Sequence, residues 1–128
     1  MKAVLIGDHE IRETASTSLK LVWPDVALRA AHMATEGLEL VRLVFPDIVL
    51  FCGMPLPATI QALRRLNTMP VLVLAYQYKG DEGEVVTALQ AGADVYIRLP
   101  CGPSEITAWV GALLRRQPSP QTAEQMAR

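Results

Sequence analysis

Few side chains in this sequence can do chemistry, and their spacing narrows what that chemistry is. Asp8, His9 and Glu10 follow the short apolar run Ala3-Val-Leu-Ile6. Cys52 follows the run Ile48-Val-Leu-Phe51, and Cys101 follows Leu99-Pro100. His9 with Asp8, Cys52 and Cys101 has the donor types of a soft-metal site. Their separations match none of the spacings by which zinc is held, so no metal is assigned. A cysteine is a nucleophile only as its thiolate, and a buried free thiol behaves as a small hydrophobe. Cys52 is therefore ordinary core on one reading and a reactive thiol on the other. His32 reads as solvated. No nucleophile–base pair and no phosphate-cradling glycine loop occurs, so the chain is not read as an enzyme and no cofactor is implied.

Composition bounds the remaining classes. The 128 residues argue for one domain. They are 51 % apolar and 20 % charged, with a mean hydropathy of +0.24, which excludes intrinsic disorder. Twelve basic and thirteen acidic side chains leave a net charge of -1. A nucleic-acid binder carries a clustered basic excess. Here the only basic doublets are Arg64-Arg65 and Arg115-Arg116, so no direct nucleic-acid contact is expected. Two cysteines make no disulfide framework, and no signal-peptide apolar region is present. The longest uncharged stretch, 48–63, is broken by Gly53, Pro55 and Pro57 and is too short for a bilayer. A cytoplasmic, reducing location without membrane contact is expected.

The elements that position these residues alternate strictly. Strands are predicted at 3–6, 26–30, 48–51, 71–74 and 95–97, the third being continuous and central. Helices are predicted at about 11–22, from a Thr35 cap to Pro46-Asp47, at about 58–66, from an Asp81/Glu84 capping box to Gly92, and from Pro103 onward. The second helix carries Leu38, Val41 and Leu43-Val44 on one side, and the last faces Ile106, Val110 and Leu113-Leu114 inward. Such alternation implies right-handed crossovers and a parallel sheet covered on both faces. Ligands of such folds bind beyond the carboxyl ends of the strands. Residues 117–128, with Pro118-Ser119-Pro120, read as a tail or linker after a domain at 1–116.

Four stretches carry a resemblance: Val4-Leu-Ile-Gly-Asp-His9, Pro46-Asp-Ile-Val-Leu-Phe51, Met69-Pro-Val-Leu-Val-Leu74 and Ala88-Leu-Gln-Ala-Gly-Ala-Asp-Val-Tyr96. With Pro100 and the Pro103 helix start, the chain resembles a response-regulator receiver domain over residues 2–116. The resemblance implies an α/β, flavodoxin-like three-layer sandwich with five helices and a five-stranded parallel sheet of order 2-1-3-4-5. In that order one strand lies between those of Cys52 and Cys101, roughly 9–10 Å, so no disulfide is expected.

Ordinary receivers accept a phosphoryl group on an aspartate, helped by two further carboxylates, Mg²⁺, a hydroxyl and a lysine. In the slots that the resemblance assigns, this chain has Cys52 for the acceptor and Gly7-Asp8 for the acidic pair, in a loop about one residue short. It has Ala75 for the hydroxyl residue and Leu99 for the lysine. One carboxylate in such company is a poor offer to Mg²⁺. The resemblance thus implies a degenerate receiver working without phosphorylation, in signal transduction and transcription regulation. Its partner would be a second copy or another signalling protein. Tyr96 matches the family's switch aromatic, expected inward where Ala75 vacates volume, with simple packing as the alternative. Pro100 is expected cis. Val85, Tyr96 and Trp109 form the candidate dimer face, Trp109 being otherwise core. The rivals are a thiol-based redox sensor using Cys52 and an ordinary phospho-receiver using Asp8, Glu10 or Asp47.

Overall fold

Strand and helix identities follow from apolar runs too short and too continuous for helices, alternating with segments of helical period. The computed structural model describes residues 1–66, 68–76 and 82–116. Five strands form one parallel sheet: β1 (Lys2–Gly7), β2 (Ala27–Ala31), β3 (Ile48–Cys52), β4 (Val71–Tyr76) and β5 (Val95–Leu99). Their order is β2-β1-β3-β4-β5, with β3 central and all five of its residues buried. The crossovers are α1 (His9–Val22), α2 (Ala34–Val44), α3 (Pro57–Leu66) and α4 (Glu82–Ala91), and α5 (Pro103–Arg116) closes the domain.

The period-two alternation of the strands divides the core. Leu5, Leu50, Leu72 and Ile97 face one layer with Ile11 and Leu19 of α1 and Ile106 and Val110 of α5. Val4, Val49, Phe51 and Val73 face the other with Val41, Ile60 and Ala88 of α2, α3 and α4. Because both faces are covered, β1, β3 and β4 need apolar residues at successive positions, which is why they read as continuous runs.

Several boundaries depart from the sequence reading for local reasons. Helix α1 starts at His9 because Asp8 is its N-cap, the carboxylate accepting from the Ile11 amide at 3.1 Å. Thr35 does not cap α2. The helix begins at Ala34 after Met33, which makes no side-chain cap bond. Leu43 is exposed, since it lies two residues and about 200° from the buried Val41. Strand β2 lies one residue later than expected, pairing Lys2 with Ala27 through Ile6 with Ala31.

Helix α4 ends as its Gly92 suggested: the Gly92 amide donates to Leu89 and the Ala93 amide to Ala88, with Gly92 at φ 128°. The proposed Asp81 cap and the 117–128 tail lie outside the described residues.

Candidate functional site

The parallel register brings the expected site positions to one end of the sheet. Gly7 is the cross-strand partner of Cys52, Cys52 of Leu74, and Tyr76 of Leu99. Ala75 precedes Tyr76 at the end of β4, so all four strand-borne slots meet at the carboxyl edge.

Gly7 is fixed in a conformation that other residues avoid, with φ at 131°. The next amide, Asp8 N–H, donates to the Cys52 carbonyl at 2.8 Å, extending the β1–β3 pairing by one bond. A Cβ on Gly7 would lie against that same carbonyl oxygen, far inside contact distance. The Gly7 carbonyl accepts from Arg12 Nε at 3.0 Å and meets His32 Nδ1 at 3.3 Å. His32, read from sequence as merely solvated, thus touches the β1 end although its side chain is exposed. Arg12, which the sequence reading passed over, stands here because it lies one turn beyond the Asp8 cap.

Cys52 is 1 % exposed and belongs to the α1/α5 core layer. Among the described residues its thiol is partnered by the Leu50 carbonyl, at 3.8 Å. Burial pushes its pKa up to about 12; the Arg12 guanidinium opposes the rise and the Asp8 carboxylate adds to it. A thiolate is strongly disfavoured there. Cys101 is free and half-buried, with its pKa raised by burial and then by Glu105.

Ala75 is buried, and its carbonyl accepts from the Tyr96 hydroxyl at 3.1 Å. Tyr96 is half-buried against the α2–α4 layer rather than turned to solvent. Leu99 is 7 % exposed and packs in the opposite layer, so an apolar side chain stands where the resemblance puts an ammonium group. The Leu99–Pro100 peptide is cis.

The other acidic candidates have structural roles or lie elsewhere. The Asp8 carboxylate caps α1. Asp47 sits at the amino end of the sheet, where it accepts from the Lys2 amide at 2.8 Å. Glu10 is exposed in the first turn of α1. Among the described residues, no group of three or more His, Cys, Asp or Glu side chains is placed to hold a metal ion.

Flanking β5, the expected dimer positions are distributed over both layers. Val85 on α4 is half-buried, and Val86 and Leu89 beside it are exposed; only Ala88 of that helix is buried. Trp109 on α5 is 38 % exposed, so core packing does not consume it.

One cluster at the far end of the sheet went unread. Arg64 donates to the Gly92 carbonyl through Nε at 2.9 Å and to the Asp94 carboxylate through Nη2 at 2.6 Å. Asp94 also accepts from the Val71 amide at 2.7 Å. The Gly92-Ala93-Asp94 turn was a visible signal, but only the fold brings Arg64 to it.

No family model matches the chain. Over 129 residues it is 34 % identical to the "Response regulator MprA" of Mycobacterium bovis, covering 97 % of this chain and 54 % of that protein. Over 126 residues it is 31 % identical to "Probable transcriptional regulator ycf27" of Cyanophora paradoxa, covering 93 % and 51 %. The chain spans about half the length of the curated relatives it matches. Among solved structures, a response regulator receiver domain protein (CheY-like) from Methanospirillum hungatei aligns with a TM-score of 0.76 at 21 % identity, covering 89 % of this chain and 93 % of that one. Sheet order, crossovers and relatives agree: the chain has the flavodoxin-like, CheY-type receiver fold and is similar to response regulators over nearly its whole length.

Proposed function

We propose that this receiver works without aspartyl phosphorylation, as a protein–protein interaction and dimerisation module within a cytoplasmic signalling protein that regulates transcription. The observation that carries the reading is the state of the acceptor position. Cys52 is a buried, un-ionised thiol, hydrogen-bonded among the described residues to the Leu50 carbonyl of its own strand. Around it the Gly7 backbone excludes a side chain, Asp8 is engaged as a helix cap, and Leu99 is part of the core. Phosphoryl transfer needs a nucleophile and several groups that neutralise oxygen charge. The single guanidinium of Arg12 does not replace them.

With chemistry absent from the site, the exposed apolar side chains flanking β5 become the functional surface. Large apolar and aromatic side chains anchor interfaces, and the exposed Trp109, Val86 and Leu89 supply them, with the half-buried Val85 beside them. Tyr96, held on the Ala75 carbonyl, favours a fixed face over a switching one. The transcriptional role rests on the relatives, which extend well beyond the segment matched here.

Incubation with acetyl phosphate and Mg²⁺, followed by intact-mass measurement, tests the reading. No gain of a phosphoryl group is expected, and a stable adduct on any aspartate or glutamate would overturn it. The redox alternative is the weaker reading, because burial suppresses the thiolate it needs. Rapid, selective alkylation of Cys52 in the folded protein would restore it.

A further inference from the structure

We infer that the carboxyl edge of β1 and β3 carries a binding site for a small, neutral, ring-sized apolar molecule bearing one N–H or O–H donor. A pocket of about 240 Å³ opens there, between the start of α2 and the loop that joins β3 to α3. It stands beside the β1/β3 switch in strand order, where open α/β sheets take their ligands. Ile6 and Phe51 form its floor, and Met54 and Leu56 its rim. Among the described residues no carboxylate, lysine or arginine lines it, so these walls offer no charged partner to a phosphate or a hard cation.

Three further observations define the ligand. Leu56 is 72 % exposed at the rim, an apolar surface that an occupant of the pocket would cover. Met54 beside it is half-buried and unbranched, a side chain able to close over varied shapes. His32 also lines the pocket, and its Nδ1 faces the Gly7 carbonyl. A carbonyl only accepts, so Nδ1 is the donor in that contact, and in the neutral ring this leaves Nε2 able to accept. Besides the Cys52 thiol, the polar side-chain groups among the described lining residues are the His32 ring and the Thr59 hydroxyl, both able to accept, so these mostly apolar walls suit a neutral molecule with one donor. The volume corresponds to roughly eight waters at about 30 Å³ each, enough for one or two rings.

Indole is the probe, and the readout is the amide spectrum of the ¹⁵N-labelled chain. Saturable shifts confined to Gly7, His32, Gly53 and Thr59 are expected, with a Kd of roughly millimolar order for so few atoms. N-methylindole, which lacks the donor, should bind several-fold more weakly. Ala34→Leu, which fills the pocket from the first turn of α2, should weaken indole binding by about tenfold or more. If that variant loses its native spectrum, Leu56→Ser at the exposed rim serves instead and should also weaken binding. The inference fails if no saturable shift develops up to the solubility of indole. It fails equally if the shifts are unchanged in the folded variants. This site stands apart from the β5-flanking surface: native mass reports on assembly and amide shifts report on the pocket, so either can fail alone.

Discussion

At the scale of single residues, Cys52 and Gly7 decide what the site can do. The folded Cys52 thiol has a pKa raised to about 12 from an ordinary value of 9.0. Above pH 9 the unfolded chain releases this proton while the native state keeps it. The stabilising contribution is therefore full below pH 9 and is lost as pH rises from 9 toward 12. Urea titrations across that window should show a downward slope of up to about 1.4 kcal/mol per pH unit from this group. Cys52→Ala should lack that component while retaining the slope due to other groups. Gly7 gives a second expectation. Gly7→Ala meets the Cys52 carbonyl as well as an unfavourable φ, and should cost at least about 2 kcal/mol in chemical unfolding. Gly53 also has a positive φ, 115°, but open space around its Cβ position. Gly53→Ala should cost about 1 kcal/mol, the backbone contribution alone.

At the scale of elements, the strands and the last helix were legible because burial on both sheet faces writes itself into sequence as unbroken apolar runs. Pro103 opened α5 and Gly92 closed α4 for equally local reasons. What escaped reading depended on distant partners. Thr35 has the side chain of a cap, yet α2 starts one residue before it. Gly37 is buried under Ile6, where a Cβ would collide with that side chain, so the packing of α2 on β1 sets the helix position. Arg64 was only half of a basic doublet until α3 brought it to Asp94. That pair ties the end of α3 to the turn before β5 and the start of β4. The ion pair is partly open to solvent and adds little by itself. The bond from the Val71 amide to Asp94 contributes more, and Asp94→Ala should cost about 1–2 kcal/mol. Hydrogen exchange at Val71 should accelerate in that variant while exchange in the middle of β3 tracks only the global loss. Of the candidate site, the missing acidic, hydroxyl and lysine side chains were visible as residue types. The Gly7 conformation, the His32 contact and the depth of Cys52 required the fold.

At the scale of the whole molecule, the two edges of the sheet differ, and the proposed dimerisation belongs to the apolar one. The β2 edge presents alanines and Arg29, whereas the β5 edge is flanked by Trp109 and the apolar side of α4. Light scattering after size exclusion should report a dimer in reductant and after mild peroxide alike. Trp109→Ala combined with Val85→Glu should lower that mass to the monomer without changing the far-ultraviolet circular dichroism. A mass unchanged by both substitutions would assign contact to another surface. A dimer appearing only after peroxide would bring the cysteines forward.

The bond between the Asp8 amide and the Cys52 carbonyl has a consequence for the engineering of such a domain, because it fixes the backbone after β1 against β3. On the reading proposed above, Asp at 52, Thr at 75 and Lys at 99 should not by themselves confer phosphotransfer, since the Asp8 carboxylate stays engaged as the α1 cap. An inserted residue between Gly7 and His9 is the change expected to free it, and a gain of a phosphoryl group in intact mass is the check. A library that varies side chains alone should remain silent, while one that varies loop length as well contains the way back.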